Sequence, residues 1–408
     1  MDHEAARQLH EHPRTEATPW GLLLLLMALT SIGPTTLNIV LPALPILANR
    51  MASDVGTIQL IVSVYLLAMA GGQLLMGPLS DRFGRRPVLL GALSLTAGAS
   101  VGAVLISTVE SLIVARVLQA VGASAGLVVS RAIIRDLFDR NRAASVLGLV
   151  ATVMVVVPTL SPLMGGLLET GFGWQSIFIF TAVTSALVVT WAAITLPETR
   201  RLNAPHGAQE GFFRDLAQLA RSRRFAGYVC AGAFGSATFF AFLGGGAHVV
   251  VTLMGRSPTE FGIWWAVASI GYMTGNFLSS RLSTRHGIDR LIWAGIVIEI
   301  AGVALSTVLT VYALHWGPAI VFLPQLIVNV GNGLLLPGAI SGAVSVRPQA
   351  AGTAAGIIGF SQMALGAAVT QYAGALMADS PSAVPMSLLM DALAAALAIS
   401  FVLLVRQR

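Results

Sequence analysis

GPLSDRFGRRP, Gly77 to Pro87, is a polar island between two long apolar runs. It concentrates one acid and three arginines in eleven residues of a 408-residue chain whose side chains are 55% apolar and only 10% charged. A helix needs about 20 apolar residues, at a rise of about 1.5 Å each, to cross a hydrocarbon core of about 30 Å. The runs on either side have that length, so the island reads as a short loop between two membrane spans.

Working outward from this loop, twelve apolar spans can be marked: 20–44, 57–79, 87–107, 110–133, 143–168 and 174–196, then 225–251, 258–280, 288–312, 316–346, 350–377 and 383–405. The expected fold is an all-α membrane protein of twelve transmembrane helices in two pseudo-symmetric six-helix bundles, residues 20–196 and 225–405. A polar tail covers 1–19, and residues 406–408 form a short second tail. Residues 197–224 make the longest polar connection, with a short interfacial helix expected in GFFRDLAQLARSRR.

Orientation follows from the positive residues, all of them Arg because Lys is absent. Of 24, only Arg50 and Arg256 fall on one side and Arg116 lies inside a span; the remainder occupy the termini and the loops after spans two, four, six, eight and ten. Both termini are therefore expected in the cytoplasm. The net charge of +6 reflects this topology and gives no case for nucleic acid. The single cysteine, Cys230, lies in an apolar run, so the sequence offers neither a disulfide framework nor paired metal-ligand spacing. The N-terminal tail carries His3, His10 and His12 but no short apolar core with a cleavage site, so neither a metal site nor a cleaved signal peptide is expected.

The chain repeats itself. Gly275–Gly287, GNFLSSRLSTRHG, occupies the place of the opening loop one half later, and Gln325–Gly331 in span ten echoes Arg116–Gly122 in span four. Two such halves with a site near the midplane describe many secondary transporters.

GPLSDRFGRRP resembles the loop signature G-x-x-x-D-R-x-G-R-R of the major facilitator superfamily. With IVARVLQAVGAS in span four, IRDLF at its end and PTLSPLMGG in span five, the chain resembles the drug:proton antiporters of the bicyclomycin and chloramphenicol resistance (Bcr/CflA) branch. The resemblance implies that the loop is a conformational latch formed by Gly77, Asp81, Arg82, Gly84, Arg85 and Arg86 with Asp136. Asp81 is expected to meet the free N–H groups at the start of span eleven, near Gln349. The arginines are expected to pair with Asp136, and Gly84 to permit the tight turn. It also implies that Pro158, Pro162, Gly165 and Gly166 form an antiporter helix motif in span five, and that Arg116 serves proton coupling.

Polar residues inside spans are costly and mark function. Arg116, with Gln119 on its face, is expected to meet a cavity or a partner. In span one TTLNIVLPALP departs from the family's D-x-Y-L-P-A-x-P pattern: the acidic position is Asn38 and the aromatic one Val40. An amide carries no proton near neutral pH. If coupling persists, the acid is sought at Glu299 or Asp391, which are equally open to pairing with each other, with His248 or with helix backbone. Tyr65, Gln73, Met154, Phe239, Asn329, Asn332 and Gln362, with Met27, Phe240, Trp264, Trp265 and Phe360, are candidates for a broad amphipathic pocket on the substrate and proton pathway.

No nucleotide loop, metal cluster or nucleophile elbow is present in the sequence, so an enzyme is not expected. The expected function is export of small amphipathic compounds from a bacterial cytoplasmic membrane by proton antiport, with no cofactor beyond the proton gradient and with a small-molecule substrate, the bilayer and a monomeric state as its setting. An importer, an exporter whose Arg116 reads an anionic substrate, and an uncoupled facilitator stay open beside it.

Overall fold

A computed structural model describes residues 20–199, 218–312, 316–378 and 380–405. The N-terminal tail with its three histidines, the first part of the expected interfacial helix and residues 406–408 lie outside the described residues. The regular structure among the described residues is helical. The first half comprises α1 (Trp20–Asn38), α2 (Leu44–Arg50), α3 (Val55–Phe83), α4 (Arg85–Leu105), α5 (Val109–Leu137), α6 (Arg140–Phe172) and α7 (Gln175–Thr195). The second comprises α8 (Arg223–Ala247), α9 (Pro258–His286), α10 (Ile288–Tyr312), α11 (Ala319–Val346), α12 (Ala351–Ala378) and α13 (Val384–Leu404).

α1 and α2 together form one span, Trp20–Arg50, longer than the 20–44 expected from hydropathy. The bend between them lies in LPALP. Pro42 and Pro45 supply no N–H, so the α-helix gives way to a 3-10 turn at Leu41–Ala43 and restarts with Pro45 in its first turn. Likewise α8 continues through a π-helical stretch, His248–Leu253, which carries span seven past its expected end. Counting these as single spans gives twelve long helices among the described residues; eleven are long and apolar enough to cross a membrane by length and composition, and α9 is the exception.

Caps fix several ends. Asp54 accepts from Thr57 N at the start of α3, Thr108 from Ser111 N at α5, and Asp139 from Arg142 N at α6. Ser257 accepts from Glu260 N with Pro258 in the first turn of α9. α3 turns into α4 at Gly84 with φ +101°, and α9 turns into α10 at Gly287 with φ +77°, a backbone state that disfavours any residue with a Cβ. The weak sequence echo between the two loops is thus carried by a shared turn.

Packing repeats with the same six-span displacement. In the first half α3, α4 and α1 pack on α5, α4 on α7 and α1 on α6; in the second α9, α10 and α8 pack on α11, α10 on α13 and α8 on α12. The halves meet through α3 with α12 and α6 with α9, two contacts related by the same repeat.

Candidate functional site

Arg116 is the deepest charge of the first half, 1% exposed. It lies two turns into α5, and its guanidinium donates Nε to the Ile61 carbonyl at 3.0 Å, Nη1 to the Thr36 carbonyl at 2.9 Å, and Nη1 again to Gln119 Oε1 at 3.0 Å. Gln119 passes the network on by donating Nε2 to Ser100 Oγ at 2.8 Å. Tyr65 lies under the guanidinium, 4.2 Å from ring centroid to Cζ, and donates its hydroxyl to the Gly33 carbonyl at 3.0 Å. One guanidinium nitrogen, Nη2, is buried with no partner among the described residues, and none of the ion pairs among them includes the group. Arg116 is therefore closed in among its partners in this conformation. Tyr65, fully buried, supports the arginine in this conformation. Asn38, 4% exposed, donates to the Pro34 carbonyl at 2.8 Å and closes the end of α1, leaving its own Oδ1 unbonded.

The second half carries its polar residues behind α8 and α11. Glu299 on α10 is fully buried and shares a 2.6 Å contact with Thr238 Oγ1; Asn332 Nδ2 stands 3.4 Å from the same hydroxyl. Asn329 donates to the Ala268 carbonyl at 2.9 Å and accepts from Gln325, while Gln362 donates to the Gly232 carbonyl at 3.4 Å. Asp391 accepts from Thr307 Oγ1 at 2.6 Å. The pairing of the two acids with each other or with His248 is not found; each takes a threonine instead. Phe239 packs edge-on against Phe240 and Trp265, and Trp265 and Phe240 belong to the closed core. Gln73, Met154 and Trp264 are half-buried, and Phe360 is exposed.

At the end of the molecule remote from the arginine-rich loops, the halves are joined. Gln371 donates Nε2 to the Gly56 carbonyl at 2.8 Å and accepts from Ser63 Oγ at 2.8 Å, tying α12 to α3. Thr259 donates to the Gly166 carbonyl at 3.0 Å, and Trp265 Nε1 donates to the Pro158 carbonyl at 3.1 Å, tying α9 to α6. The span-five motif makes this seam possible. A Cβ on Gly166 would run into the main chain of Pro258 and Thr259, and one on Gly165 into the Ile39 carbonyl at the bend of span one; Gly262 meets Pro162 and Leu163 equally closely from the other side.

At the opposite end the halves stand apart. Asp81 is paired with Arg85 of its own loop, its side chain 64% exposed, and Gln349 before α12 is exposed. The expected contact of Asp81 with the start of α12 is therefore not made in this conformation. Here α12 presents Gly352, Gly356 and Gly359, spaced about one turn apart, and a Cβ at any of them would meet nothing; Gly77 on α3 has only Val128, at 3.9 Å. Within the loop Arg85 Nε reaches Asp136 Oδ2 at 3.2 Å, the pairing expected, whereas Arg86 turns to the Ala193 carbonyl at 2.6 Å and Arg82 lies over the Phe83 ring. Glu198, which sequence reading missed, accepts from Arg85 N at 2.9 Å and Arg86 N at 3.1 Å and so caps α4 from beyond the end of α7.

The family model of the Major Facilitator Superfamily matches residues 23–371. The chain belongs to this superfamily. Within the superfamily, the chloramphenicol resistance protein of Pseudomonas aeruginosa is 31% identical over 332 residues, 81% of this chain and 78% of its own. Multidrug resistance protein D of Escherichia coli is 30% identical over 345 residues, 83% and 84% of the two chains. Among solved structures a D-xylose-proton symporter superposes with a TM-score of 0.76 at 15% identity, covering 94% of this chain and 96% of that one, a likeness of fold alone. This member of the superfamily is a multi-pass membrane transporter and not an enzyme, and its bacterial relatives include proteins named for chloramphenicol, multidrug and bicyclomycin resistance.

Proposed function

We propose that the protein exports small amphipathic compounds, antibiotics among them, out of the cytoplasm by antiport against protons. The observation that carries this reading is the asymmetry between the two ends: the halves are joined through α3–α12 and α6–α9 at one end and apart at the arginine-rich end. Positive loops lie on the cytoplasmic side, so this is the conformation that admits a compound from the cytoplasm, with both termini on that side. Rocking about the repeat-related seams opens the other end, and the Gly77–Arg86 loop with Asp136 latches the arginine-rich end when it closes. Relatives named for chloramphenicol and multidrug resistance support the substrate class.

Asn38 favours a second reading, an uncoupled facilitator, because the titratable group usual at that place in the resembling antiporters is an amide here. Efflux of chloramphenicol from proteoliposomes of the purified protein, with and without an imposed pH gradient, separates the two. Uphill movement that follows the gradient is the expected result. Movement that stops at equal concentrations whatever the gradient overturns antiport.

A further inference from the structure

Glu299 is a carboxyl with no exposed surface, and none of the ion pairs among the described residues includes it. Among the described residues its surroundings offer no compensating charge. α11, packed along α10, carries no ionisable side chain anywhere in its length. α13 contributes only Asp391, bound to Thr307 two turns away, and on α8 Tyr228 is engaged with Asp289 at the arginine-rich end of α10. On α9 the ionisable groups other than Tyr272 lie at its two ends. An ionised carboxylate stripped of water and without a cation is among the costliest groups a helix bundle can hold.

The hydrogen bonds point the same way. Thr238 Oγ1 is 2.6 Å from Glu299 Oε1, 2.9 Å from the Gly235 carbonyl and 3.4 Å from Asn332 Nδ2. A hydroxyl has one proton, so it cannot donate to both the Gly235 carbonyl and an ionised Glu299. With the proton on Glu299 every contact is satisfied: the acid donates to Thr238, Asn332 donates to Thr238, and Thr238 donates to Gly235. Removing the proton obliges Thr238 to turn from the α8 backbone to the carboxylate. The other carboxyl oxygen, Oε2, has no partner at all, nor has Asn332 Oδ1.

The repeat adds a second line of support. Gly331 on α11 faces Gly295 and Glu299 as Gly122 on α5 faces Ala92 and Thr96. Glu299 thus occupies in the second half the place that Thr96 holds beside Gln119 in the first. The polar cores of the halves are related by the repeat, one built on a fixed cation and the other on an acid.

We propose that Glu299 is the proton-binding site of this transporter, with Thr238 as its positioning residue, loaded in the conformation seen here and emptied when α8, α10 and α11 shift in the opposite one. This deepens the antiport reading and rests on it. The site takes the role left open by Asn38.

Two measurements on the full chain test it. The infrared difference spectrum between alkaline and neutral pH is expected to show the carbonyl stretch of a protonated carboxylic acid that E299Q lacks and that T238V moves to higher frequency. In proteoliposomes, gradient-driven accumulation of chloramphenicol is expected to fall in E299Q to equal concentrations on both sides, while downhill equilibration persists and shows that the variant is folded. Uphill transport retained by E299Q, or an unchanged carbonyl band, overturns the role of Glu299 and leaves antiport standing. If the wild type itself only equilibrates, antiport fails, and the coupling role of Glu299 falls with it even where the infrared band is found. Should E299Q not fold, T238V carries the test: an unshifted band refutes the positioning.

Discussion

At the scale of single residues the first half is built round one buried cation that has no ion pair among the described residues. Arg116 is held by two main-chain carbonyls from other helices, Ile61 within α3 and Thr36 in the last turn of α1. A planar fork can reach both at once; an ammonium on a flexible stem concentrates its charge at one point. Arg116→Lys is therefore expected to lose at least one charge-assisted bond, worth about 1.5–3 kcal/mol. At about 1.4 kcal/mol per factor of ten, flux falls about tenfold or more, with a lower melting temperature in detergent. Unchanged flux and melting temperature would show that the carbonyl bonds are idle. Tyr65 illustrates why the role of a residue is harder to read than its depth. An aromatic with a hydroxyl inside a span fits a binding pocket and a buried support equally well, and only the position of the guanidinium above its ring separates them.

At the scale of elements, the loop that begins α4 depends on a residue more than a hundred positions away. Glu198 puts both carboxylate oxygens on the first N–H groups of α4, where the helix dipole favours an anion. Glu198→Gln keeps the shape but turns one acceptor into a donor facing an N–H, and the loss of capping is expected to cost about 1 kcal/mol. Thermal unfolding checks this, since a melting temperature equal to wild type would mean that water caps α4 as well. Such a contact leaves no trace in sequence because neither partner looks unusual in its own neighbourhood. What sequence does show are features that depend on local physics: the span lengths follow from hydropathy and bilayer thickness, and Gly84 from the turn it must make. The extension of span one beyond LPALP was illegible for the opposite reason. Two prolines read as a stop, yet a 3-10 turn carries the chain through them. Asp136 was legible as the partner of Arg85, whereas Asp81 pairs here with Arg85 of its own loop and not with the start of α12.

At the scale of the whole molecule the two ends of the α3–α12 contact differ in what fills it. At the joined end Gly374 lies against the Gln59 side chain, and Gln371 is bonded to both Gly56 and Ser63. At the parted end Gly352, Gly356 and Gly359 face open space. Nothing in the present arrangement requires bare backbone there, so these positions tolerate side chains in this conformation. Close approach of a neighbouring helix to them is expected where the arginine-rich end closes. Gly356→Leu is accordingly expected to leave the fold and the uptake of substrate from the arginine-rich side intact while stalling the cycle. Spin labels on the two halves at that end would report one long distance where the wild type shows a second, shorter population. A short distance persisting in the leucine variant would mean that α12 closes on another face. The surface that looks least occupied in this conformation is then the one that records the shape of the other.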